Sequence, residues 1–490
     1  MKNVIFTVLL LWGAVCFAQA TYSDSTKIPD TSAGLLVKPL LKVLNSDDPK
    51  QIENFVKHKF TKEFRDVAPM KMHISMMLHH HTRHGDLTFY SVRNYAEPQS
   101  ETKLNMILKT AKTEQWQLIS FTVTDEKPYK ITGMRISDAN PPNNLPKSSS
   151  LAMSEALIKL DDYVKHMSNK NVFSGSVLVA KDAIVLYKAA HGLASKRFNI
   201  PNNIQTKFNL GSMNKMFTSI GIMQLVEAGK LSLSDNLSRF IDESWLKKDV
   251  SNKIEIRQLL THSSGLGNYF NKKFMESSKN NYRDLNDYKP LIKNAVLSFE
   301  PGTDARYSNT GMFMLGVVIE KVTGMNYFDY IREHIYKPAG MVNSGSYEMD
   351  EPVSNLAIGY EPNPSNQTGW SNNLFTSPLK GSPAGGGFST VEDLQRFAVA
   401  LTNFTFLSEK STKELYSAKL HLHSPFYGYG FKVRGTTTDR IVGHGGGFEG
   451  ISTNLDIYLD QGYVSVVLSN YGGGSRPIEN KIRELLALVD

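Results

Sequence analysis

Cysteine is nearly absent: one residue, Cys16, in 490. A single thiol excludes an intrachain disulfide and any cysteine-built metal site. Long apolar runs are also missing. The clearest, residues 4–12, is about half the length that a bilayer span requires. Nor is there a block of one charge. The 55 Lys and Arg and 47 Asp and Glu are scattered, so the net charge of +8 implies no nucleic-acid partner. A basic surface suits anionic envelope polymers equally well.

What is present is globular composition, 41% hydrophobic and 21% charged, which excludes a mostly disordered chain. The length allows about two to four domains. Lys2, the apolar run and Ala18-Gln19-Ala20 together read as a secretory signal peptide over residues 1–20, so an exported, periplasmic or extracellular protein is expected. Cleavage after Ala20 removes Cys16. The alternative, lipidation at Cys16, is weaker because Val15 precedes it where a small residue is usual. Residues 137–150 carry Pro141, Pro142, Pro146 and three consecutive serines, the chemistry of a linker. It divides a module, residues 21–136, from a larger unit, residues 151–490.

In the module, Asp48 is placed to cap a helix with Pro49 in its first turn and Ile52, Phe55 and Val56 on one face. A second helix is expected over residues 70–80, then strands over 87–92, 116–123 and 129–136. Helices followed by a strand meander make an α+β pattern. His80 and His84 have the spacing of metal ligands within a cluster that includes His73, His79 and His81. A polar helix end running into Gly85 accounts for them better, and no metal site is assigned.

The larger unit carries the chemistry. Ser212 and Lys215 form S-x-x-K ahead of a helical pattern over 216–228, so both side chains project from one face. A serine hydroxyl needs a base to become a nucleophile, and a desolvated lysine can be one. Tyr307 and Asn309 precede an apolar helix over 312–322. One residue apart, they point the same way if the segment is extended. A tyrosine beside a lysine can relay a proton, and an asparagine amide can hold both lysine and substrate. Finally, His444-Gly445-Gly446-Gly447 leads into strands over 452–459 and 463–469. The glycines allow close backbone approach of substrate, and the strand edge offers a backbone N–H to an oxyanion.

These three elements, in this order, resemble the serine β-lactamase and penicillin-binding-protein superfamily, in its class C-like branch. There the motifs are S-x-x-K, Y-x-N and K/H-x-G. Leu259-Leu260-Thr261-His262-Ser263-Ser264-Gly265-Leu266 and Ala384-Gly385-Gly386-Gly387-Phe388-Ser389-Thr390 resemble further family segments. The resemblance implies a β-lactamase/transpeptidase-like fold of mixed α+β, α/β character: an antiparallel sheet flanked by helices, with a helical insertion over about residues 231–383. The module before it resembles nuclear-transport-factor-like and cystatin-like α+β domains.

The implied chemistry is acyl transfer. Ser212 attacks a carbonyl, the Tyr307–Lys215 pair takes its proton, and the N–H groups of Ser212 and Gly447 hold the oxyanion. Catalytic residues are thus Ser212, Lys215, Tyr307, Asn309 and His444, with Gly445 and Gly446 lining the substrate. No metal or organic cofactor is needed, and the partner is a small-molecule or peptide substrate. Histidine rather than lysine at 444 accompanies esterases and D-amino-acid peptidases in the wider family. An esterase, amidase or D-amino-acid peptidase is therefore expected, with β-lactamase or DD-carboxypeptidase as the alternative. A slowly acylating sensor or inactive scaffold is the alternative of another class. His262 resembles a structural loop histidine of the family, not a base.

Overall fold

The computed structural model describes residues 22–95, 100–146, 149–363, 366–435 and 438–489. The leader expected over residues 1–20, with Cys16, lies outside them.

The N-terminal part is one five-stranded antiparallel sheet in sequential order, β1 (Tyr22–Ser25), β2 (Leu87–Tyr95), β3 (Lys103–Thr110), β4 (Trp116–Val123) and β5 (Ile131–Asp138). Helices α1 (Val37–Leu44), α2 (Pro49–Lys59) and α3 (Met70–His84) pack on it. The Asp48 carboxylate accepts from the Lys50 N–H at 2.9 Å, and Ile52, Phe55 and Val56 are buried. Helix α3 runs to His84, one turn beyond the expected end, and stops at Gly85 with φ +70°. Residues 139–146 form neither helix nor strand, yet they are not a loose tether. Arg93 pairs with Asp24 at 2.9 Å and donates to the carbonyls of Asn140 and Pro141, at 3.1 and 3.2 Å.

Beyond this, α4 (Met153–Asn169) leads into a six-stranded antiparallel sheet assembled from both ends of the remaining chain. Its order is β8 (Lys432–Arg434), β9 (Ile441–Phe448), β10 (Ile451–Tyr458), β11 (Tyr463–Ser469), β6 (Gly175–Lys181) and β7 (Ile184–His191). Strands β10 and β11 are buried throughout because both faces are covered. On one face lie α4 and α8 (Ser475–Leu486), against Val177, Val179 and Val467. On the other lie α5 (Asn214–Glu227) and α7 (Val391–Thr402), against Leu178, Leu455 and Val466. The Leu151 N–H donates to the Leu488 carbonyl at 2.8 Å, which ties the two ends of this unit together.

Helix α6 (Asn309–Thr323) belongs to the segment between α5 and α7 and is buried along most of its length. Its packing on α5 brings the Ser212 turn, the start of α6 and the cleft end of β9 to one place. Among the described residues, no helix is long and apolar enough to cross a membrane.

Candidate active site

Ser212 lies in a 3-10 turn, Gly211–Met213, that runs straight into α5. Gly211 adopts φ +52°, a left-handed conformation that bends the chain into the helix. Lys215 follows within the first turn and is fully buried. Its ammonium donates to Asn309 Oδ1 at 2.8 Å and to the Ala384 carbonyl, and it stands 4.8 Å from the centre of the Tyr307 ring. Burial, reinforced by the charge of Lys432, holds the Lys215 amine well below the usual lysine range.

The Tyr307 side chain stands beside Ser212. The surrounding protein pushes the phenol above its ordinary range, and the neighbouring Ser212 hydroxyl works against this. Almost half of the Tyr307 surface, 47%, is nevertheless open to the cleft, so access of water limits that upward push. Asn309 does not sit in an extended segment. It is the first residue of α6, capped by Ser308, whose hydroxyl accepts from the Gly311 N–H at 2.8 Å. The Asn309 amide is turned by two neighbours: its oxygen faces Lys215, and its NH2 donates to Asn268 Oδ1 at 3.3 Å.

His444 is buried in β9. Its Nδ1 is 2.6 Å from the Gly445 carbonyl, and its Nε2 is 3.0 Å from the Tyr427 hydroxyl. A carbonyl only accepts, so Nδ1 carries the proton and Nε2 accepts from Tyr427. Burial first, then the charges of Lys432 and Lys215, push His444 well below the ordinary histidine range. The ring is neutral and supplies no cation to the cleft.

The three glycines are not equivalent, and they lie within strand β9, not in a turn. A Cβ on Gly446 would stand 1.9 Å from the Leu210 carbonyl oxygen. The space that the sequence offers to substrate is thus filled by the chain's own Ser212 turn. Thr453 completes the contact, donating to the same carbonyl at 2.8 Å. A Cβ on Gly447 would meet only the Ile451 carbonyl oxygen, at an ordinary contact distance of 3.9 Å. Strand β8 pairs with residues 441–443 of β9 and goes no further. Among the described residues, the outer edge of β9 from Gly445 to Phe448 therefore has no strand partner, beside the Ser212 turn.

A family model described as Beta-lactamase matches residues 160–488. The chain belongs to the beta-lactamase family. Over 318 residues it is 32% identical to a penicillin-binding protein of Bacillus subtilis (strain 168), covering 62% of this chain and 69% of that one. A penicillin-binding protein from Bacillus halodurans shares the fold with a TM-score of 0.60 and 30% identity, over 67% of this chain and 98% of that one. A D-stereospecific amidohydrolase from Streptomyces sp. does so with a TM-score of 0.52 and 25% identity, over 63% and 93%.

Within this beta-lactamase-family cleft, sequence reasoning overlooked Tyr427, Asn268 and the Ala384 carbonyl. Ala384 does fall in a family-like segment, but a backbone oxygen leaves no mark in a motif. His262 lies between the rings of Tyr307 and Tyr427, 4.4 and 4.6 Å from their centres. Its Nδ1 accepts from the Ser308 N–H at 3.2 Å. It packs on the Tyr307 ring and anchors the start of α6. In the N-terminal module, the His80 and His84 rings lie 4.7 Å apart, tilted by 39°, on one helix face as their spacing suggests. Each is bonded locally, His80 to Gln117 at 2.9 Å and His84 to Thr113 at 3.3 Å.

Proposed function

We propose that this beta-lactamase-family hydrolase is a class C-like serine esterase or amidase, exported by a leader at residues 1–20, that acts on carboxylic esters or D-amino-acid amides and peptides. One observation carries the reading. A buried, deprotonation-prone Lys215 is held by Asn309 beneath the Tyr307 ring, which stands beside Ser212. The Ser212 proton passes to the Tyr307–Lys215 pair, which titrates as a unit. Ser212 Oγ bonds to the carbonyl carbon, and the oxyanion lies between the N–H groups of Ser212 and Gly447. Tyr307 returns the proton to the leaving oxygen or nitrogen, and water then hydrolyses the acyl-serine.

The neutral His444 supports esters and amides over substrates anchored by a carboxylate, because no cation stands at that position. The likeness to a D-stereospecific amidohydrolase agrees with this. The likeness to penicillin-binding proteins favours the alternative, DD-carboxypeptidase or β-lactamase activity. Parallel turnover of p-nitrophenyl esters, D-amino-acid amides and nitrocefin, with Ser212→Ala as control, separates the two. Ester or amide turnover lost in Ser212→Ala supports the proposal. Nitrocefin turnover exceeding both overturns it.

A further inference from the structure

An arginine of the N-terminal module is linked through a carboxylate to the turn that ends β9. Arg83, near the end of α3, donates to the Gly472 carbonyl at 2.5 Å and faces the Glu361 carboxylate at 3.7 Å. The other oxygen of Glu361 accepts from the Gly450 N–H at 2.9 Å. Gly450 and Glu449 form the two-residue turn between β9 and β10. Asn373 grips the same turn, donating to the Glu449 carbonyl at 2.9 Å and accepting from the Gly359 N–H at 3.1 Å.

Glycines make this contact possible. A Cβ on Gly472 would lie 1.7 Å from Glu361 Oε1, and one on Gly473 would lie 2.6 Å from Arg83 Nη1. Gly450 packs so closely on the backbone of residues 359–360 that its Cβ would come within 2.5 Å. The module and the catalytic unit also meet elsewhere. Tyr163 donates to the Thr113 carbonyl at 2.6 Å, Asn480 to Gln115 at 2.8 Å, and Arg476 to Asp138 at 2.6 Å. Those bonds dock the module on α4 and α8, whereas Arg83–Glu361 leads to the cleft.

Gly447 is three residues from Gly450, on the length of β9 that has no outer strand partner among the described residues. Its position depends on β10 and on how the turn is held. We propose that Glu361, backed by Arg83, is a positioning residue for the Gly447 N–H, so that the N-terminal module sets the geometry of the oxyanion donor. The inference rests on the serine-hydrolase reading for its kinetic consequences. Misplacing a reacting group by about 1 Å can cost about a hundredfold in rate, so a loosened turn is felt in turnover.

The test uses the full chain with Glu361→Leu, Glu361→Gln and Arg83→Met. Glu361→Leu is expected to lower kcat about tenfold with KM nearly unchanged, because the donor acts on the developing oxyanion. Glu361→Gln keeps an acceptor for the Gly450 N–H and stays within about threefold of the unchanged chain. Arg83→Met, remote from the cleft, lowers kcat about threefold through the turn alone. A purely structural role would shift the melting temperature and leave kcat in place.

Hydrogen exchange over residues 445–452 reads the link without turnover, and faster exchange is expected in Glu361→Leu and Arg83→Met. Unchanged exchange and unchanged kcat in Arg83→Met overturn the proposal, even if Glu361→Leu does not fold. Absence of Ser212 acylation in the unchanged chain, with exchange altered as expected, would instead count against the serine-hydrolase reading.

Discussion

The Tyr427 hydroxyl donates to Nε2 of His444, and this bond fixes His444 as the neutral Nδ1–H tautomer at the back of the cleft. A lysine at this position would bring positive charge to bear on substrate. The histidine brings shape and a hydrogen-bonded scaffold.

Tyr427→Phe removes the donor and leaves a buried nitrogen unsatisfied, a loss of about 1–3 kcal/mol. The melting temperature should fall. The pH profile should not gain a step, because His444 is held well below the ordinary histidine range. An ionisation near pH 6.5 in kcat/KM that disappears in His444→Asn contradicts the neutral assignment.

Lys215→Arg keeps a cation but cannot give up its proton, so it should lose turnover as completely as Lys215→Met. Proton transfer by a positioned base contributes about 10²–10⁴-fold, which sets the size of the loss. The sign of the stability change follows from the depressed amine. Below the unfolded lysine value of 10.5 the unfolded chain takes up the proton first, so the buried amine costs stability as pH falls. Lys215→Met leaves Asn309 Oδ1 and the Ala384 carbonyl unpaired at every pH, so the signature is the pH dependence: its melting temperature relative to the unchanged chain should rise from pH 9 to pH 6. A difference in melting temperature that does not change between the two pH values counts against a depressed Lys215.

Gly446→Ala and Gly447→Ala form a contrasting pair. The first drives a methyl into the Leu210 carbonyl, where the gap is 1.9 Å, and the second meets only an ordinary contact at 3.9 Å. Overpacking of this kind costs about 1–3 kcal/mol, so Gly446→Ala should be clearly destabilised and Gly447→Ala should melt close to the unchanged chain. Thermal melts of the two decide it. Equal losses would mean that Gly446 does not face the nucleophile turn.

The paired histidines of the N-terminal module predict acid sensitivity. Burial lowers His80, and burial with neighbouring positive charge lowers His84 to about 2. As pH falls below 6.5 the unfolded chain binds these protons and the folded chain does not, so stability drops through that window. His84→Asn keeps a partner for Thr113 and should flatten the fall of melting temperature between pH 6.5 and pH 4. An unchanged slope would mean that other groups set acid stability.

Much of the scaffold could be read along the chain, because local chemistry decided it. Asp48-Pro49 starts a helix wherever an apolar face follows, and the spacing of Ser212 and Lys215 puts both on one side of α5. Strand β4 was legible from its alternation, and β11 from a β-branched run bounded by turns. Strand β3 was not, since its buried run lacks a clear period, nor was β1, a short polar edge. The linker composition of residues 137–150 concealed that Arg93 and Asp24 pin part of it, because composition carries no record of a distant ion pair. The same holds for Tyr427 beside His444 and for Arg83 beside Glu361, pairs made by tertiary packing alone. Gly446 was noticed for its missing side chain. Which neighbour uses that space was a question of three dimensions.

The most direct test of the account is intact-mass and peptide mapping after a fluorophosphonate treatment of the folded chain. One adduct on Ser212, abolished in Ser212→Ala and slowed at least about a hundredfold in Lys215→Met, is the predicted result. No adduct, or an adduct on another serine that persists in Ser212→Ala, would contradict it.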